Sequence, residues 1–129
     1  MTRRAVSTGD APAAVGPYSQ AIVTEDFVFC AGQVGLDPAT GNVVEGGLEA
    51  QAERVLRNLA AVLDAAGCTF ADVVKTTCFL ADINDFAAFN AVYARFMTDP
   101  PPARSTFAVA ALPKGARVEI EAIAVRNRA

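Results

Sequence analysis

The sequence predicts an α+β fold: a mixed β-sheet carrying two helices on one face. Three observations lead there. Apolar residues recur at helical spacing between Leu48 and Ala66, yet follow strand chemistry over Val73–Ala81 and Arg117–Arg126, so the period switches along the chain. The resulting order is β β α β α β β, with no internal repeat and no linker, which predicts one domain over residues 1–129. Packing both helices on one side is the economical arrangement, and it leaves the other sheet face in need of a cover that another subunit could supply.

The elements follow in order. "SQAIVTEDFVFCAGQV" divides into two short runs, Ser19–Thr24 and Phe27–Ala31, and the polar joint Glu25-Asp26 suggests a hairpin. "LDPATGNVV" supplies turn chemistry at Asp37-Pro38 and Gly41-Asn42. In the first helix, Ala52, Val55, Leu56, Leu59, Val62 and Leu63 form the apolar face, Glu53 and Arg57 make a favourable i,i+4 pair, and Gly67 is placed to end it. "VVKTTCFLA" is β-branched and apolar on both parities, which predicts a strand covered on both faces. Asn84 can cap the second helix, with Phe86, Phe89, Tyr93 and Phe96 as its stripe and "TDPPPAR" as its breaker. Strands at Ser105–Ala110 and Arg117–Arg126 close the chain.

Composition narrows the function. Apolar residues make up 53 % of the chain, high enough to expect apolar surface hidden in a subunit interface. Net charge is −3, and the 11 basic residues are scattered, so a nucleic-acid partner is not expected. The start, "MTRRAVSTGDAP", lacks the apolar stretch of a signal peptide. No segment reaches the run of about 18 apolar residues that a membrane span needs. Cys30, Cys68 and Cys78 show neither metal spacing nor a CxxC pair, so reduced thiols in a cytoplasm are expected. There is no histidine, which removes Ser-His and Cys-His nucleophile pairs, the usual zinc sites and the commonest general base.

Five features could carry chemistry. Arg104, after "DPPPA", is either an exposed loop arginine or a stiffly presented guanidinium suited to a planar carboxylate. In "RVEIEAIAV", Val118, Ile120, Ala122 and Ala124 share one face, while Glu119 and Glu121 share the other with Ile123 and Val125. Glu119 is thus a strand-end surface residue or a carboxylate that holds water. Tyr18 of "GPYSQ" reads as a core aromatic or a site hydroxyl. Gly32 and Gly35 of "AGQVG" suit either a tight turn or close approach to a ligand. Asn90 borders the aromatic stripe as a local hydrogen-bond partner or a site amide.

Taken together, "APAAVGPYSQAI", "AGQVGLDPATGNVV", "DVVKTTCFLADINDF", "PPARST" and "ALPKGARVEIEAIAV" resemble the RidA (YjgF) family in sequence and order, from about Ala11 to Val125. The resemblance implies a chorismate-mutase-like fold, a trimeric barrel with active sites in clefts between subunits, and no cofactor or metal. It implies an enamine/imine deaminase that hydrolyses 2-aminoacrylate, 2-iminopropanoate and 2-iminobutanoate to 2-oxo acids and ammonia. By motif, Arg104 matches the arginine that binds the substrate carboxylate and Glu119 the glutamate that positions water. Tyr18, Gly32 and Asn90 match other site positions.

Two positions depart from the family pattern. Ala31 stands where many members have serine, removing a hydroxyl from the pocket, and Thr106 stands where several have cysteine. The competing expectations are a binding module for 2-oxo or amino acids, which would tolerate loss of Glu119, and an RNA-cleaving translation inhibitor. The acidic balance and missing histidine oppose the latter.

Overall fold

The structure, a computed structural model, describes residues 2–126. Its strands are β1 (Arg4–Val6), β2 (Ala21–Val23), β3 (Phe27–Val34), β4 (Val73–Leu80), β5 (Ala103–Ala108) and β6 (Val118–Val125). The helices are α1 (Gly47–Ala65) and α2 (Phe86–Ala94), and single 3-10 turns stand at Phe70–Asp72, Ile83–Asp85 and Pro113–Gly115. One six-stranded sheet runs β1-β2-β3-β6-β4-β5. Only β4 and β5 pair in parallel, as α2 crosses over between them; all other neighbours are antiparallel.

The helices form because their apolar faces have a sheet to bury against. Val55, Leu56, Leu59, Val62 and Leu63 of α1, with Phe89 of α2, are fully buried on Val28, Leu80, Val118 and Ile120. α1 ends as expected: the Gly67 N–H donates to the Asp64 carbonyl at 2.9 Å, with φ at 80°. Glu53 pairs with Arg57 at 3.5 Å and with Arg95 at 2.6 Å, tying α1 to the end of α2.

Four expectations need correction. The short strand β1 was not expected; only its last residue, Val6, is buried, so its pattern carries little signal. Asn84 does not cap α2. The Asp82 side chain instead accepts from the Asn84 N–H at 2.9 Å, capping a 3-10 turn from which α2 continues directly. β5 starts at Ala103, so Arg104 lies inside a strand, and it stops at Ala108, where its ladder with β4 ends at Leu80. β4 is covered on one face only within a chain. Thr76, Cys78 and Leu80 are buried under the helices, whereas Lys75, Thr77 and Phe79 on the other side are only partly buried.

That open face is apolar. Phe27, Phe29, Phe107 and Val125 are 41 to 53 % exposed on it. They are not scattered, because Phe27 stands opposite Val125, Phe29 opposite Ile123 and Phe107 opposite Phe79 in the sheet register. A contiguous apolar patch of this kind marks an interaction surface.

Candidate functional site

Arg104 stands opposite Thr76 in the β4–β5 ladder and therefore shares the helix-covered face. α2 lays three rings against it. The guanidinium carbon is 4.8 Å from the Tyr93 centroid, 5.5 Å from Phe86 and 5.9 Å from Phe89. Ring faces attract a cation by roughly 0.5–2 kcal/mol each, depending on solvation. Among the described residues no carboxylate pairs with Arg104. The rings hold the charge without using its N–H fork, which is left for a planar anion.

A cavity of about 490 Å³ opens beside it, lined by Asn90, Tyr93, Met97, Thr98, Pro102 and Arg104 among others. The Asn90 Oδ1 is buried without a hydrogen-bond partner among the described residues. Oγ1 of Thr106, on the same face as Arg104, is buried as well, with the Cys78 thiol opposite it in the ladder as its neighbour. An orphaned buried acceptor such as that of Asn90 costs about 1–3 kcal/mol, and such an atom is retained where a ligand satisfies it. Thr106 does not itself line the cavity.

Glu119 is built differently. It pairs with Phe79 and Val34, on the opposite parity from Thr76 and Cys78, so it projects from the open face. Between Cys30 and Gln33 the register slips: three steps of β3 match two of β6, and the extra residue forms a bulge at Ala31-Gly32. The Glu119 carboxylate rests on that bulge. A Cβ at residue 32 would stand 2.8 Å from Glu119 Cδ and 3.1 Å from Cγ, so glycine is needed to make room. Gly35, by contrast, admits the backbone of α1 at Gln51, not a ligand.

Burial raises the Glu119 pKa above the usual carboxylate range, and the neighbouring Glu121 charge adds to the rise. A second cavity of about 330 Å³ lies there, lined by Tyr18, Ala31, Gly32, Leu36, Lys114 and Glu119 among others. The Tyr18 hydroxyl accepts from the Val15 N–H at 3.4 Å. Lys114 takes a left-handed backbone conformation at φ 58° and donates to the Gly41 carbonyl at 2.8 Å. Glu121 lines neither cavity.

The residues expected in one site thus fall into two halves. Arg104 and Asn90 share one cavity; Tyr18, Ala31, Gly32 and Glu119 share the other. The halves open on opposite faces of the sheet, and a single chain does not bring Arg104 to Glu119. The aromatic platform under Arg104 was visible only as a helix stripe; Phe86, Phe89 and Tyr93 at spacings of three and four, followed by an arginine strand, are its signal. Asn58 gave none. Buried in α1, its Nδ2 donates to the carbonyls of Val34 at 3.2 Å and Leu36 at 2.9 Å, which fixes two walls of the Glu119 cavity.

Among the described residues no cluster of His, Cys, Asp or Glu could hold a metal ion. Burial pushes the Cys30 thiol up to about 12 and that of Cys78 up to about 11, so both stay protonated and weakly nucleophilic. No helix among the described residues is long and apolar enough to cross a membrane.

Comparison with known proteins adds the chemical context. The sequence profile described as Endoribonuclease L-PSP matches residues 8–126. A goat protein named 2-iminobutanoate/2-iminopropanoate deaminase is 53 % identical over 127 residues, covering 98 % of this chain and 93 % of that protein. The crystal structure of RidA from an Antarctic Psychrobacter superposes with a TM-score of 0.92 at 46 % identity, covering 95 % of this chain and 99 % of the other. That of the YjgF gene product from E. coli gives 0.90 at 44 %, covering 96 % and 99 %.

Proposed function

The chain belongs to the endoribonuclease L-PSP family, and from that premise we propose how it works as a 2-iminobutanoate/2-iminopropanoate deaminase, the activity that names its relatives. The net reaction takes R–C(=NH)–COO⁻ and water to R–CO–COO⁻ and ammonia. The observation that carries the assignment to this site is Arg104, its guanidinium backed by three rings and lacking a carboxylate partner among the described residues. That setting suits the one feature common to these substrates, a carboxylate beside an electrophilic carbon.

Arg104 binds the carboxylate through its fork and fixes the imine carbon. Glu119, its pKa raised by burial and by the neighbouring Glu121 charge, orients a water and accepts its proton as the oxygen attacks. The same proton then goes to the nitrogen, giving the carbinolamine R–C(OH)(NH2)–COO⁻, and transfer of its hydroxyl proton to the nitrogen through Glu119 expels ammonia and leaves the carbonyl. Orientation of this kind supplies several kcal/mol of the barrier. An imine is electrophilic enough to need no cofactor. Asn90 offers an acceptor to the substrate's N–H, while Tyr18, Ala31 and Gly32 wall the water side. Ala31 offers no hydroxyl there, which bears on rate and substrate range more than on reaction type.

Since Arg104 and Glu119 open on opposite faces, a complete site needs two copies of the chain. The apolar open face provides the contact, in a homotrimer of the chorismate-mutase-like type whose sheets form a central barrel around a threefold axis. Each chain contributes a single domain over residues 1–129, and the enzyme works in the cytoplasm without nucleic-acid or membrane partners. The test is the decay of imine released by a threonine dehydratase. Purified protein at catalytic concentration should speed the appearance of 2-oxobutanoate; an unchanged rate with intact trimer would favour a binding module instead.

A further inference from the structure

We infer that Tyr93, fixed by Thr76, is a positioning residue that sets the affinity of Arg104 for the substrate carboxylate. The inference rests on the proposed role of Arg104 and names the device that enforces it. Arg104 is the second residue of an edge strand, and its long side chain has rotamer freedom that a ligand would otherwise have to remove. The fold removes it beforehand. The Tyr93 ring lies nearest the guanidinium, at 4.8 Å. Its hydroxyl is within 2.7 Å of the Thr76 hydroxyl, a bond made in the interior, where Thr76 is fully buried and Tyr93 nearly so.

Thr76 stands directly across the ladder from Arg104. The residue beside Arg104 in the sheet therefore also anchors the ring above it, closing a loop from strand to helix and back to the guanidinium. Phe89 packs on Tyr93 at 5.5 Å between centroids and prevents the ring from tilting away. Burial raises the Tyr93 hydroxyl pKa above its usual value, so it keeps its proton across the working range. Neither Thr76 nor the Tyr93 hydroxyl is free for substrate. Their contribution runs through Arg104.

The experiment measures KM and kcat for imine hydrolysis, and the dissociation constant for 2-oxobutanoate, in intact protein of checked oligomeric state. Tyr93→Leu should weaken 2-oxobutanoate binding and raise KM by roughly tenfold, the size of one desolvated cation–π contact, while kcat falls less. Tyr93→Phe keeps the ring but loses its bond to Thr76, so it should recover only part of the affinity and fall between Tyr93→Leu and the parent. Phe86→Leu alters the same platform at a partly exposed position, so it keeps the fold, and should raise KM about threefold. In an Arg104→Ala background, Tyr93→Leu should add nothing further. Parental values in Tyr93→Leu and Phe86→Leu, or an equal Tyr93→Leu effect with Arg104 absent, would overturn the inference. Should Arg104→Ala itself leave 2-oxobutanoate affinity unchanged, the carboxylate role of Arg104 falls first, and that result is distinct from a failure of Tyr93 alone.

Discussion

The carboxylate of Glu119 lies in the space that a side chain on Gly32 would fill. The bulge at Ala31-Gly32 turns the β3 backbone toward β6 there, so a glycine on one strand and an acid on the other form a single unit. Gly32→Ala should displace Glu119 without unfolding the chain, because a flexible carboxylate can swing aside. Hydrolysis is expected to fall at least tenfold, close to the defect of Glu119→Gln, with unchanged oligomeric state. Parental kinetics in Gly32→Ala would show that Glu119 does not work from this position.

A pH profile tests the charge coupling of Glu119 and Glu121. The Glu121 charge helps raise the Glu119 pKa, and only the ionised Glu119 can take a proton from water. Activity should therefore decline as pH falls through the raised Glu119 pKa. Glu121→Gln removes part of the elevation, so this acidic limb should move to lower pH while the maximal rate stays near that of the parent. Movement to higher pH would contradict the assignment. The same raised pKa makes a stability statement: the contribution is full at low pH and is lost as pH rises through the folded value. Glu119→Gln should lose less stability across that range than the parent, measured by urea titration at several pH values.

Arg104 admits a simple substitution test. Charge-assisted hydrogen bonds contribute about 1.5–3 kcal/mol each, and two made by one planar fork also fix direction. Arg104→Ala is expected to lower kcat/KM by roughly a thousandfold or more, and Arg104→Lys should recover little, since an ammonium has no fork. Near-parental rates for the lysine variant would mean that charge alone suffices.

How much of this was legible beforehand depends on what each residue responds to. The alternation of Val118, Ile120, Ala122 and Ala124 against Glu119 and Glu121 follows from local geometry, and the strand adopts it with the expected face buried. The first helix is equally readable because its apolar face repeats over five turns. Asn84 misled because asparagine caps helices in general, whereas Asp82 competes for the same turn only two residues earlier. β4 reads as covered on both faces because Thr77 and Phe79 on its outer side are also β-branched or apolar, whereas within one chain only the helix side is packed. The motif resemblance placed Arg104 and Glu119 in one site; that they leave opposite faces of the sheet follows only from the register of three strands.

The open face gives a prediction about assembly. Phe29 is 44 % exposed there and stacks near Phe27, with ring centroids 6.1 Å apart. Phe29→Asp should convert the assembly to monomers in sedimentation velocity, with far-ultraviolet dichroism little changed and hydrolysis lost. A Phe29→Asp protein that remains trimeric and active would place the interface elsewhere.

Whether each active site takes Arg104 from one subunit and Glu119 from its neighbour can be measured directly by mixing two impaired proteins. Arg104→Ala and Glu119→Gln chains are unfolded together, refolded at equal concentration, and assayed for imine hydrolysis. In a cyclic trimer with shared sites, every hybrid has one interface where an intact Arg104 meets an intact Glu119, so random mixing should restore about a quarter of parental activity. Activity no greater than that of the two variants refolded separately, in a sample shown to contain hybrids, would contradict a site built between chains.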